Sequence, residues 1–320
     1  MLRYLGRRLL QSLLLFWGVS ILAFVFVSAA PGDFTDTLLM NPQVSSVSVA
    51  AERARYGLDQ SLPQRYSRWI GGAIQGNLGY SFAYNAPVGG LIWTRARNTL
   101  ILTVTATLLA WLIAVPLGVW SAARKGGLAN LACTGVSGLI AIPDLLLALG
   151  FLFVAVRTGW FPAGGMVSVG FEELSFWAKV KDVLAHLTLP LFTLVLGMLP
   201  ILVQHVRAAV SEALEAPFLR AAQAHGIPRR RLLFRYALPF AANPLISLFG
   251  LSLATLLSAS LLVEVIMGWP GLGPLILGAV ESRDIYVLVG AALASTAFLL
   301  AGNWVSDVLL YAHDPRIRAE

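Results

Sequence analysis

The sequence predicts an all-α polytopic membrane protein with six transmembrane helices. Three observations carry that expectation. Apolar residues make up 58% of the 320-residue chain and charged residues only 12%, whereas soluble domains carry about 25% charged residues. Six apolar stretches approach the roughly 20 residues that cross a bilayer as a helix. They fall near residues 9–30, 99–122, 131–156, 187–207, 240–263 and 286–311. Finally, Lys and Arg concentrate in alternate connections, as they do where basic loops stay on the cytoplasmic side. Those loops account for the formal net charge of +7 without any nucleic-acid partner.

Arg3, Arg7 and Arg8 precede the apolar run from Leu9 to Val27, and Ser28, Ala29 and Ala30 follow it. The run exceeds the 7–15 residues of a signal-peptide core, so it reads as an uncleaved first transmembrane helix. Residues 31–98 then form a large external segment, expected to hold short helices on the membrane surface. Its arginines do not oppose that side, because loops beyond about 60 residues translocate largely regardless of charge. The chain thus divides into 1–98, the first helix with the external segment, and 99–320, a five-helix core with a cytoplasmic loop at about 208–239. Pro116, Pro143, Pro190, Pro200 and Pro244 interrupt the spans, which neighbouring helices make tolerable. Arg124, Lys125, Arg207, Arg316 and Arg318 mark cytoplasmic connections and leave both termini inside. The single cysteine, Cys133, excludes an internal disulfide and reads as a small buried hydrophobe.

Between the fourth and fifth spans lies a polar island, EAPFLRAAQAHGIPRRRLLFRYALP, from Glu215 to Pro239. Pro217 suits a first helical turn, Gly226 suits the left-handed residue that ends a helix, and Pro228 blocks continuation. A helix of roughly ten residues is expected over Pro217–Gly226, including Leu219 and Arg220. Phe218, Ala221, Ala222 and His225 fall on one shallow apolar face at helical spacing. Such a helix is marginal alone. It either lies on the membrane with its arginines toward anionic headgroups, or it sits in a groove of a partner.

Arg220, Ala221, Ala222, Gly226, Leu238 and Pro239 also stand where the cytoplasmic loop motif of ABC-importer permease subunits has its EAA, glycine and Leu-Pro positions. The chain resembles that family over nearly its whole length, and most of all its dipeptide/oligopeptide/nickel branch. Arg220 replaces the family's glutamate and Tyr236 an isoleucine; the peptide branch commonly departs at the first. Further patches carry the resemblance: Gly57-Leu58-Asp59-Gln60, Gly76–Ser81 with Asn77 for the more usual Asp, and Gly159-Trp160-Phe161-Pro162. Leu187–Pro190, Gly268–Gly273 after Glu264, and the tail Asp314–Arg318 add to it.

The resemblance implies a type I ABC importer permease-like fold and makes Pro217–Gly226 the coupling helix that docks on an ATPase subunit. It further implies a bacterial or archaeal cytoplasmic membrane. The implied partners are a second homologous permease chain, two ATP-binding subunits, and a periplasmic or lipid-anchored solute-binding protein. Di- or oligopeptides are the implied cargo, with nickel chelates, glutathione or another small solute as alternatives. No cofactor is expected on this chain: it has no Walker A segment, so ATP and Mg belong to the partner subunits and the chain is not expected to be an enzyme.

Candidates for the translocation path are Asp144, Glu264, Trp269 and Pro270, since intramembrane polar groups and Gly/Pro-rich turns near a span mark functional positions. Asn303 and Asp307 read as a structural pair on the last span. Two rival readings have residues of their own. Asp144 would be the proton or cation site of a secondary transporter. Ser137, in Gly135-Val136-Ser137-Gly138, would be the nucleophile of a rhomboid-like protease, although glycine and serine are also common where membrane helices pack closely. His186, His205, His225 and His313 are scattered without metal-ligand spacing.

Overall fold

The computed structural model describes residues 2–29, 57, 59–124 and 126–314, with isolated positions at 32, 35, 47, 53 and 54. Leu58, Lys125, the Pro315–Arg318 part of the tail, and most of 30–56 lie outside the described residues. The chain is built of helices: α1 Leu2–Ala29, α2 Leu62–Ile74, α3 Val88–Ala123, α4 Gly127–Gly138 and α5 Asp144–Thr158. They are followed by α6 Phe176–Glu215, α7 Pro217–Ala224, α8 Arg229–Ile266, α9 Leu272–Glu281 and α10 Ile285–His313. A two-stranded ladder, β1 Tyr80–Ser81 with β2 Ala86–Pro87, pairs Tyr80 with Pro87 and Ser81 with Ala86.

Five of these helices are long and apolar enough to cross a membrane, and the α4–α5 pair makes a sixth crossing if counted as one broken span. That agrees with the predicted number but changes the third crossing. Residues 131–156 do not form one helix: the chain bends by 95° between Ala141 and Asp144. The cause is Pro143, which disfavours the helical region for the residue before it. Ile142 is accordingly extended, at φ −97° and ψ 112°. Asp144 therefore opens a new helix at this break.

The second and fourth helices outrun their predicted bounds. α3 begins at Val88 and α6 runs for 40 residues, about 60 Å at 1.5 Å per residue. Hydropathy marked only the part that lies in hydrocarbon. The expected loop at 208–239 shrinks for the same reason: α6 continues to Glu215 and α8 begins at Arg229. α8 passes through a π-helical turn at Leu233–Ala237. Pro239 lacks the N–H that the Arg235 carbonyl would otherwise accept from, and its ring crowds that carbonyl, so the wider turn relieves both defects.

Contacts divide the chain into two units, one of residues 1–99 and 270–300, the other of 100–269 and 301–320. Residues 270–300 thus group with the N-terminal part, although the sequence suggested 99–320 as one core. In the first unit α2 packs on α1 and on the beginning of α10. Phe24, fully buried, meets the rings of Tyr66 and Trp69 at 5.5 and 5.8 Å, and Ile285, Val289 and Leu293 complete the cluster. Trp69 Nε1 donates to the Leu78 carbonyl at 3.1 Å, which ties α2 to the turn that follows it. Asn77 Oδ1 accepts from the Gly79 amide at 3.0 Å, so the amide side chain shapes this turn without a charge.

Asp284, wholly buried just before α10, gathers that unit further. One carboxylate oxygen accepts from Ser81 Oγ at 2.7 Å, Phe82 N at 2.9 Å and Ala83 N at 3.3 Å. The other accepts from Val287 N at 3.3 Å, in the first turn of α10.

The second unit is organised around α6. Two thirds of the most apolar window of α6 is buried, against 11% for α1. Leu102, Ala106, Ala110 and Ala114 of α3, all at 0% exposure, face this core every fourth residue. Small side chains at that spacing let two helix backbones approach closely. Cys133 is buried in the same cluster. On α6, Gly197 lies directly against Asp144, and a Cβ there would overlap Asp144 Oδ1. Gly197→Ala is therefore expected to cost about 1–3 kcal/mol, read as a lower melting temperature in detergent. Gly197→Ala combined with Asp144→Ala should recover most of that loss. If the single variant melts normally, the close approach has no weight in folding.

Candidate functional site

The predicted helix at 217–226 exists, with both ends built as the residues dictate. Ala216 is extended, at φ −61° and ψ 139°, and Pro217 takes the first helical position. At the far end Gly226 has φ +81°. Its amide donates to the Gln223 carbonyl at 3.0 Å, and the Ile227 amide donates to the Ala222 carbonyl at 3.3 Å. These two bonds, with Ile227 and Ala222 packed in one apolar cluster, make a complete Schellman cap. The helix ends at Ala224, shorter than the ten residues expected, because His225 already serves as its cap residue.

Of the face at 218, 221, 222 and 225, Phe218, Ala221 and His225 are exposed and Ala222 is half-buried. Leu219 is 1% exposed and packs with Val119, Val206, Val210, Ala213 and Leu232. Ala222 joins the same cluster from its edge. These two side chains hold α7 against the ends of α6 and α8 and leave no surface at Leu219 for a partner. Pro217, Phe218, Arg220, Ala221, His225 and Gly226 remain exposed. Phe218 is steadied from one side by Phe240, with ring centroids 5.3 Å apart. The apolar periodicity identified the helix; burial by its own chain then claimed the more apolar positions of it.

The arginines that follow are not all free surface charge. Arg229 donates through Nη2 to the carbonyl of Ala123, the last residue of α3. A cation there complements the negative end of that helix. Arg207 Nη2 donates to Asn130 Oδ1 at 3.0 Å and so connects α6 to α4. Asp314 Oδ2 accepts from Asn243 Nδ2 at 2.6 Å, and His313 Nε2 lies 3.0 Å from the Pro239 carbonyl. The end of α10 is thereby fastened to the beginning of α8. Beside this fastening is a groove of about 440 Å³, with Glu212 and Phe240 among its walls.

The path candidates are dispersed. Asp144 is half-buried against Gly197. Glu264 and Trp269 are completely buried inside their own chain, Trp269 in the α6 core, whereas Pro270 is half-buried. A large aromatic ring beside an apolar core gains by filling it. The two glycine-rich turns flanking that core do meet, through the Gly165 amide and the Met267 carbonyl at 3.2 Å. Of the structural pair on the last span, Asp307 is buried and Asn303 exposed.

Among the described residues, Ser137 hydrogen-bonds to no base. Its hydroxyl donates to the Cys133 carbonyl at 2.8 Å and accepts from Gln204 Nε2 at 3.0 Å. His205 Nδ1 is engaged with the Ile201 carbonyl and His186 Nδ1 with that of Asp182, at 2.8 and 2.9 Å. A serine protease needs the nucleophile and base within hydrogen-bond reach, and this arrangement supplies a helix-packing serine instead.

Sequence reasoning missed Asp284 and Arg229 as organising residues. Only weak signals pointed to them: an acid directly before a helical run, and a basic residue after a helix-ending proline.

Comparison with known proteins adds a relationship over the whole chain. Residues 114–319 match the family described as binding-protein-dependent transport system inner membrane component. Residues 1–103 match the corresponding N-terminal family of membrane components. The oligopeptide transport system permease protein AppB of Bacillus subtilis is 35% identical over 320 residues, covering 99% of both chains. The dipeptide transport system permease protein DppB of Escherichia coli K12 is 31% identical over 341 residues, again covering 99% of both. Among solved structures, an inward-facing form of the MetNI methionine ABC transporter aligns with a TM-score of 0.54 at 19% identity, over 70% of this chain and 96% of that one. At that identity the likeness speaks for the fold.

Proposed function

The chain belongs to the family of binding-protein-dependent transport system inner membrane components, and from that premise we propose that it is one permease subunit of an ATP-driven peptide importer. The observation that carries the reading is α7: a capped helix with Leu219 sunk in its own chain and Phe218, Arg220, Ala221 and His225 left facing out. Such a helix passes a displacement to α6 and α8, because it cannot move without them. The reading supplies the rest of the assembly by chemistry. ATP and Mg bind two separate ATPase subunits, a second homologous permease completes the path, and an external binding protein delivers the cargo. This chain lowers no reaction barrier of its own; it converts differential ATP binding into a change of access. Its basic connections put both termini and α7 on the cytoplasmic side.

Peptides are favoured over nickel chelates or glutathione because the relatives similar over the whole chain are oligopeptide and dipeptide permeases. Asp144 belongs to the path in this reading because it is a half-buried carboxyl at the break of a crossing.

The test is ATP-dependent uptake by the whole assembly in liposomes, with its binding protein and a panel of di- to oligopeptides. Ala222 packs on the inner cluster whereas Ala221 is exposed, so the informative introduced charge is Ala221→Asp. It should cut uptake at least about tenfold, equivalent to about 1.4 kcal/mol of lost docking, while the chain still inserts. Normal uptake by Ala221→Asp overturns the docking role. Uptake abolished by discharging the membrane gradient, with ATP irrelevant, would favour a secondary transporter.

A further inference from the structure

We propose that the first unit carries a carboxylate-binding pocket on α2, suited to the C-terminal end of a short peptide. The proposal rests on the peptide-importer reading and adds a site to it. The cavity is about 520 Å³, within the range of small-molecule sites. Arg65 and Arg68, one helical turn apart on α2, enter it together, and Trp69, Tyr80, Phe82 and Tyr286 provide aromatic wall.

Its charge is unbalanced. No acidic side chain lines the cavity among the described residues. The acids close by in the same unit are committed: Asp284 to Ser81 and three backbone amides, Asp59 to Arg53 at 3.6 Å. Arg65 Nε and Nη2 are buried with no hydrogen-bond partner among the described residues. The guanidinium itself sits 5.9 Å from the centre of the Phe24 ring, so it is held in place without being satisfied.

The guanidinium of Arg68, exposed where Arg65 is half-buried, is a planar fork that matches the two oxygens of a carboxylate, and Arg65 adds charge. The aromatic wall then selects a carboxylate attached to an apolar body over a small hydrated anion. A peptide terminus has both parts.

The site is tested on the complete permease–ATPase assembly in nanodiscs of zwitterionic lipid, without the binding protein. Equilibrium binding of radiolabelled alanyl-phenylalanine is compared with its C-terminal amide, with inorganic phosphate as competitor, and in nanodiscs containing phosphatidylglycerol. Saturable dipeptide binding is expected, at least about tenfold weaker for the amide. Arg68→Gln should weaken it to a similar degree. Arg65→Lys, which keeps the charge over Phe24, should weaken it less than Arg65→Gln. Equal binding of acid and amide, or unchanged binding in Arg68→Gln, overturns the proposal. So does displacement by phosphate or phosphatidylglycerol as effective as by the dipeptide itself, since the pocket would then serve a phosphate. ATP-driven uptake is measured in parallel with the binding protein present. Active uptake without carboxylate-dependent binding sinks the pocket alone, and absent uptake sinks the importer reading.

Discussion

Gly226→Pro is expected to lower ATP-driven uptake more than about tenfold while the protein still reaches the membrane and the ATPase subunits still hydrolyse ATP. Two losses combine. Gly226 has φ +81°, and proline is locked near −65°. Its amide also donates to the Gln223 carbonyl, and proline has no such donor. The cap then fails, and Ile227 is pulled from Ala222. Gly226→Ala provides a graded comparison. Nothing lies within 4 Å of a Cβ at that position, so only left-handed backbone strain of about 1–2 kcal/mol remains. The expected order of uptake is wild type, then Gly226→Ala, then Gly226→Pro. Uptake by the proline variant equal to wild type would remove the capped helix from the transport mechanism.

Asp284→Ala should be the most damaging single change to folding in the N-terminal unit. It strands Ser81 Oγ and the amides of Phe82, Ala83 and Val287 around a site that is 0% exposed. At about 1–3 kcal/mol for each buried donor left unmet, with partial relaxation, the expected loss is roughly 3–5 kcal/mol. Asp284→Asn keeps one acceptor oxygen and should fall between. Ser81→Ala removes two bonds, to Asp284 and from the Tyr84 amide, and should cost about 1–2 kcal/mol. Thermal unfolding in detergent ranks the three, and limited proteolysis should cut near residues 79–87 first in the alanine variant. Equal melting of wild type and Asp284→Ala would show that the buried carboxylate organises nothing.

The six crossings were legible because a bilayer imposes a length and a hydropathy on anything that spans it. Their ends were less legible. α6 passes beyond hydrocarbon at residues such as Lys179 and Glu212, where helix continues although the apolar run has stopped. The break at Pro143 was half visible: a proline announces disturbance, but whether a neighbour straightens it depends on packing. Pro116, Pro190, Pro200 and Pro244 stand inside continuous helices, so the residue alone does not decide.

The same limit applied to α7. Pro217, Gly226 and Pro228 specified its ends from local backbone chemistry, and the structure agrees. What local chemistry did not show was the burial of Leu219 against α6 and α8, which arises from residues far along the chain. The Asp284 cluster was hidden for that reason too, since Ser81 lies about two hundred positions earlier.

The unbroken length of α6 has a mechanical corollary. A rigid shaft of about 60 Å turns a small rotation into a large stroke: swinging it about 5° moves its far end by about 5 Å, roughly one helical pitch. Anything that grips the chain just past Glu215 therefore works at a long arm. Pro190 and Pro200 stand inside this shaft without breaking it.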